Sequence, residues 1–216
     1  MKLYTYWRSS SAYRVRIALN LKGLDYESVP VHLVRDGGEQ HRPEYTTLNP
    51  LGLVPTLVDK DTVLIESLAI IEYLEETFPE PALLPSTVAE RARVRSMALS
   101  IACEIQPLNN SAVLGFLTSQ LGVSETGKLD WICKWIARGF GALEHLLTRS
   151  AETGVYCHGD TPSVADVCLV PQVYNAVRFD VDLGSYPTLM GIHDRCQQLE
   201  AFIKAAPENQ PDAQPA

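Results

Sequence analysis

The stretch Trp7-Arg8-Ser9-Ser10-Ser11-Ala12-Tyr13-Arg14-Val15-Arg16-Ile17 decides how this chain reads. Residues Leu3 to Trp7 are aromatic and β-compatible, three hydroxyls follow, and Val15, Ala18 and Leu19 then set up the i, i+3, i+4 spacing of a packed helix. The pattern predicts a strand, a turn and a helix with a serine N-cap. A helix start presents free N–H groups and the positive end of the macrodipole, so a carboxylate, phosphate or thiolate placed there is stabilised. Two readings stand side by side: a plain cap among solvated arginines, or a seat for an anion. No G-x-G-x-x-G or Walker glycine pattern is present, which favours a small anion over a nucleotide.

Outward from this segment the chain changes texture. Up to about Phe78 short strand-like runs alternate with helical ones: strands at Leu3–Tyr6, Tyr26–Val31, Thr56–Val58 and Val63–Ile65, and helices at Ser10–Lys22 and Ser67–Phe78. That is a small α/β unit. Three prolines in Pro79-Glu80-Pro81-Ala82-Leu83-Leu84-Pro85 read as a linker. Beyond it amphipathic patterns fill roughly 87–121, 126–149, 164–178 and 187–205, an all-helical second domain. The expected division is 1–79, 86–206 and a loosely held tail at 207–216, which lacks apolar content.

Composition limits the function. The 216 residues are 46% hydrophobic and 20% charged, ordinary for a globular protein, and a net charge of −8 argues against general affinity for nucleic acid or anionic membranes. No apolar run is long enough to span a membrane. The chain enters a strand pattern at Met1-Lys2-Leu3-Tyr4, so no signal peptide and a cytoplasmic address are expected. Five scattered cysteines and five scattered histidines fit reduced thiols and no metal site.

Three further motifs carry chemistry. In Leu53-Val54-Pro55-Thr56-Leu57 a proline precedes a short strand, and a cis bond there would make a corner leaving the Val54 N–H and C=O free to pair with a peptide-like ligand; a trans, structural proline is the plainer reading. In Ile65-Glu66-Ser67-Leu68 the serine reads as the N-cap of the next helix, a second anion seat, with Glu66 placed for an ammonium group; a plain cap is again the alternative. Ser163 and Asp166 have capping-box spacing before an apolar run and are assigned a structural role.

Taken together these elements resemble the zeta class of the glutathione transferase family, which includes maleylacetoacetate and maleylpyruvate isomerases. Ser9-Ser10-Ser11-Ala12-Tyr13-Arg14-Val15-Arg16-Ile17-Ala18-Leu19 is similar to the class signature S-S-C-x-x-R-V-R-I-A-L. Further matches are Leu48-Asn49-Pro50 through Leu57, Glu66 through Leu74, Ile105-Gln106-Pro107-Leu108-Asn109-Asn110, and Ala165-Asp166 through Leu169-Val170-Pro171-Gln172. The resemblance implies a glutathione transferase fold: an α/β, thioredoxin-like N-terminal domain, an all-α C-terminal domain, and a homodimer. It departs at Ser11, where the signature has cysteine. Retention of Ser9 and Ser10 implies retained activity without covalent trapping at that position.

The resemblance also implies a ligand and a reaction. Glutathione would set its γ-glutamyl end on Glu66 and Ser67, its cysteinyl backbone on Val54 ahead of a cis Pro55, and its glycyl side near Gln40. Its sulfur would lie at Ser9, Ser10 and Ser11, with Gln106, Asn109 and Asn110 of the second domain facing the same cleft. A thiolate there would add to the cis double bond of a maleyl diacid and leave after rotation, yielding the fumaryl isomer. Arg8 and Arg178 are the candidates for the substrate carboxylates, since the guanidinium fork matches a carboxylate. Arg14 and Arg16 are assigned structural roles. A general transferase that conjugates or dehalogenates small acids, and a non-catalytic binding protein of the same fold, are the alternatives.

Overall fold

Leu3 and Thr5 are buried while Lys2 is exposed and Tyr4 half-buried, the alternation of a strand with one face on a core. That strand, β1 (Lys2–Thr5), runs parallel to β2 (Glu27–Pro30) and antiparallel to β3 (Thr56–Asp59), which pairs antiparallel with β4 (Thr62–Ile65). The sheet order is β2-β1-β3-β4, with Leu3 opposite Ser28 on one side and Leu57 on the other. Helix α1 (Ser10–Leu21) makes the β1–β2 crossover, the four-residue α2 (Pro43–Thr46) precedes β3, and α3 (Ser67–Thr77) follows β4. The computed structural model describes residues 1–214 and divides into two units, Met1–Leu83 with the segment from Gln198 onward, and Leu84–Gln197.

Helix α1 is buried from Ala12 through Leu19, including Arg14 and Arg16. A surface helix would bury one stripe; α1 is enclosed because α3 and the short helix Glu200–Ala205 both pack on it. Leu3, Leu57, Ile70, Ile71 and Leu74 are fully buried around it, each contributing about 1.5–3 kcal/mol. Past its C-terminus, Lys22 meets Glu75 at 2.7 Å and donates to the carbonyls of Phe78 (2.7 Å) and Pro81 (3.0 Å). Glu75 also accepts the Leu83 N–H, so the proline-rich linker is clamped by a buried ion pair.

The second unit is helical: α4 (Val88–Glu104), α5 (Ser111–Ser119), α6 (Glu125–Arg149), α7 (Val164–Arg178) and α8 (Pro187–Cys196). The helical stretch expected over 87–121 is broken by a 3₁₀ turn at Gln106–Asn109, because Pro107 supplies no donor and Asn110 caps a new helix. Gly139 of α6 lets Ile105 approach, since a Cβ there would lie 2.2 Å from Ile105 Cδ1. Helix α7 is buried throughout Val164–Val173 and packs on α4 and α8. None of the helices among the described residues is long and apolar enough to cross a membrane.

Two expectations about the chain's end are corrected. The helical run over 187–205 stops at Cys196, and its last part, α9 (Glu200–Ala205), joins the first unit by packing on α1. The second domain thus does not extend to 206. Nor are residues 207–214 loosely held: Pro207 and Gln210 are buried, and Gln210 donates to the Lys204 and Ala206 carbonyls at 2.8 and 2.9 Å. Hydrogen bonding replaces the missing apolar content. Pro215 and Ala216, the end of the expected tail, lie outside the described residues.

Candidate active site

Ser9 has extended backbone (φ −69°, ψ 118°), and its Oγ accepts the Ala12 N–H at 3.2 Å, the N-cap role read from the sequence. Its own N–H donates to the Tyr6 carbonyl at 3.0 Å. A helix start leaves four amides over, and two of them are thereby used. Those of Ser10 and Ser11 have no hydrogen-bond partner among the described residues. Both serines are half-buried, and no acidic residue stands in the first turn. Helix α1 therefore opens on two unused donors and an uncompensated dipole. Arg8 lies beside them, its guanidinium 4.7 Å from the Trp7 ring centroid.

Arg16 builds this turn from inside. It is fully buried and donates to Thr5 Oγ1 (3.1 Å) and to the carbonyls of Tyr6 (3.4 Å), Trp7 (2.9 Å) and Ala205 (3.0 Å). Burial lowers its pKa to about 10, so it stays charged at neutral pH. Arg14, also buried, donates to Ser67 Oγ at 3.3 Å and so ties α1, one turn past Ser10, to the first residue of α3.

Tyr45 Oη donates to the Leu53 carbonyl and hydrogen bonds Thr56 Oγ1 at 2.9 Å. Asn49 Nδ2 donates to the same carbonyl at 2.7 Å. These bonds pin the loop before Val54, whose peptide bond to Pro55 is cis. Val54 is only 8% exposed, yet neither its N–H nor its C=O has a partner among the described residues. Buried main-chain groups are rarely left so, and this pair suits an extended peptide.

At α3 the expectation is corrected in detail. Ser67 is not the N-cap but the first helical residue, buried, with Arg14 on its hydroxyl. The N-cap is Glu66, exposed and in the left-handed region at φ 69°. The amides of Ser67, Leu68 and Ala69 have no partner among the described residues, so this helix start is open as well. Gln40 sits buried in the 3₁₀ turn Glu39–His41, its Nε2 donating to the Leu33 carbonyl at 3.3 Å while Oε1 is left without a partner.

Arg8, Ser9, Ser10, Ser11, Gln40, Val54, Pro55, Glu66 and Ser67 all belong to the first unit. Gln106, Asn109, Asn110 and Arg178 belong to the second. Asn109 Nδ2 donates to the Ile105 carbonyl at 3.3 Å, and its Oδ1 is buried without a partner. Asn110 Oδ1 accepts the Ala112 N–H at 2.9 Å, capping α5. Arg178, the last residue of α7, is exposed with its guanidinium 5.0 Å from the Phe179 ring. Sequence reading missed Tyr45 and Asn49, which hold the Val54 loop, and Asp212, which bonds Trp7 from 205 residues away. The L-N-P run was a signal for Asn49; nothing local pointed to Asp212.

Comparison with known proteins agrees with this architecture. Residues 3–82 match the family model of the glutathione S-transferase N-terminal domain. A probable maleylacetoacetate isomerase of Vibrio cholerae is 56% identical over 211 residues, 98% of this chain and 97% of that protein. The holo structure of a maleylpyruvate isomerase, a bacterial glutathione S-transferase in the zeta class, aligns with a TM-score of 0.96 at 47% identity, covering 99% of this chain and 100% of the other. This chain belongs to the zeta-class glutathione transferases. A maleylacetoacetate isomerase of Methylobacterium extorquens AM1, crystallised with malonate and glutathione, aligns with it at a TM-score of 0.95 and 41% identity, covering 100% of each chain. The fold of this zeta-class transferase is the expected one, a thioredoxin-like α/β domain followed by helices.

Proposed function

We propose that this transferase is a glutathione-dependent cis–trans isomerase of a maleyl diacid, maleylacetoacetate or maleylpyruvate. The observation that carries the reading is the pairing of an open, serine-capped helix start with a buried Val54 whose N–H and C=O are both unused. An anionic sulfur needs the first and a peptide backbone the second; glutathione has both. When bound, it supplies the thiolate that adds to the cis double bond and leaves after rotation. Ser9 Oγ–H, with Ser10 and Ser11 at the same turn, donates towards the sulfur and with the α1 dipole favours thiolate over thiol. Val54 pairs with the cysteinyl main chain, Glu66 takes the ammonium group, the open α3 start at Ser67 takes the carboxylate, and Gln40 takes the glycyl side. Arg8 holds a carboxylate of the diacid, Arg178 is assigned to the other, and Gln106, Asn109 and Asn110 contribute side-chain amides.

A homodimer in the cytoplasm goes with this reading, in keeping with five cysteines of which none is in a disulfide. The test is an absorbance assay of the purified protein with each maleyl acid, with and without glutathione. Turnover that requires glutathione is expected, and the faster acid names the substrate. Conjugation or dehalogenation of small acids without isomerisation would instead make it a general transferase, and absence of glutathione binding in calorimetry would make it a binding protein.

A further inference from the structure

The last described residues are seated on the strand end that leads into Ser9. Asp212 is half-buried, and its Oδ2 accepts the Trp7 N–H at 3.0 Å. Gln210 anchors the segment to α9, Ala213 packs against the cluster of Tyr6, Trp7, Val31, Tyr45 and Val54, and Gln214 Nε2 lies 3.1 Å from His32 Nε2. Trp7 is therefore held at both ends of its main chain: Asp212 takes its N–H, and Arg16 takes its carbonyl at 2.9 Å. The preceding carbonyl, of Tyr6, receives the Ser9 N–H at 3.0 Å. A charged acceptor strengthens the N–H bond beyond what a neutral group would give. Among the described residues no other group accepts that N–H, and donors at a reacting atom lose most of their effect when misplaced by about 1 Å.

Resting on the thiol activation proposed for Ser9, we propose that Asp212 is a positioning residue of this site: by holding the Trp7 N–H it sets the Ser9 hydroxyl and the Ser10 and Ser11 amides at the sulfur. The C-terminal segment is then a working part of the turn. The test uses the full chain with Asp212→Ala and Asp212→Asn. In the alanine variant the hydrogen-bonded amides of Trp7 and Ser9 exchange with solvent about tenfold faster or more, and kcat falls about tenfold, while KM for glutathione stays within about threefold because Val54, Glu66 and Ser67 are untouched. The asparagine variant, whose amide oxygen still accepts the Trp7 N–H, returns kcat to within about threefold of the parent. A chain ended after Pro211 repeats the alanine result if that variant folds poorly. The proposal is overturned if the alanine variant keeps both its exchange rates and its kcat, if kcat and glutathione KM deteriorate together, or if asparagine gives no rescue. Amide exchange needs no glutathione, so a parent protein that fails to bind glutathione refutes the functional reading while the exchange rates still decide whether Asp212 braces the turn.

Discussion

Helices α1 and α7 both begin behind a serine, and the two starts differ in what stands three residues later. After Ser9 that position is Ala12, and only its N–H is used. After Ser163 it is Asp166, fully buried, whose Oδ2 accepts the Ser163 N–H and hydroxyl, each at 2.8 Å, and whose Oδ1 accepts the Cys157 N–H at 2.8 Å. The capping box of α7 supplies its own negative charge. Helix α1 has no acid in its first turn and keeps its dipole for something else. One residue thus separates a start that holds the chain together from a start that can hold a ligand.

The largest expected effect is at the closed start. Asp166→Ala leaves the buried Cys157 and Ser163 amides without an acceptor and should destabilise the protein by about 3 kcal/mol in urea unfolding. A loss below about 1 kcal/mol would mean that water replaces the carboxylate and that the start is not closed as described. At the open start the balance reverses. Ser9→Ala should cost only about 1 kcal/mol of stability while lowering turnover of the maleyl acid by about tenfold or more. Turnover within about threefold of the parent would remove Ser9 from thiol activation.

A smaller change converts one start towards the other. Ser11→Asp puts a carboxylate in the first turn of α1, where it should raise stability by about 0.5 kcal/mol and raise KM for glutathione severalfold, since two anions compete for one dipole. An unchanged KM would show that the dipole is not what the sulfur uses. Smallest is a pH effect at the closed start. Burial pushes the Asp166 carboxyl above the ordinary 3.8, outweighing the hydrogen bonds from Cys157 and Ser163 that pull it down. The folded protein then binds this proton more tightly than the unfolded chain, so the associated stability is full below 3.8 and is lost as pH rises through the raised value. The stability advantage of the parent over Asp166→Asn should therefore shrink across that window. An advantage that grows with pH would show the hydrogen bonds prevailing over burial.

Legibility in the sequence followed the range of the interactions. The four strands, α1, α3, α6 and α7 lie within a few residues of where hydrophobic period and caps place them, because those signals are local. Helix α2 and the 3₁₀ turns are too short for a period to register. The break at Pro107 is hidden because the apolar pattern continues on both sides of the proline. Glu66 in place of Ser67 as N-cap was not legible, since a glutamate at φ 69°, between the end of β4 and the start of α3, contradicts local preference. Residues 207–214 read as a tail because they are polar, and polarity says nothing about a remote hydrogen-bond partner.

The sequence by itself placed a serine with no following acid at the start of α1 and the Ser163–Asp166 pair at the start of α7, because these two caps join side chains and amides three residues apart. It also placed Val54 ahead of a proline and Glu66 ahead of a helix. Only the tertiary structure decided what makes the open start rigid: Arg16 from within α1 and Asp212 from the far end of the chain, both on Trp7. A backbone N–H or carbonyl is the same group at every residue, so no sequence pattern reveals which distant side chain will satisfy it until the fold brings the two within 3 Å.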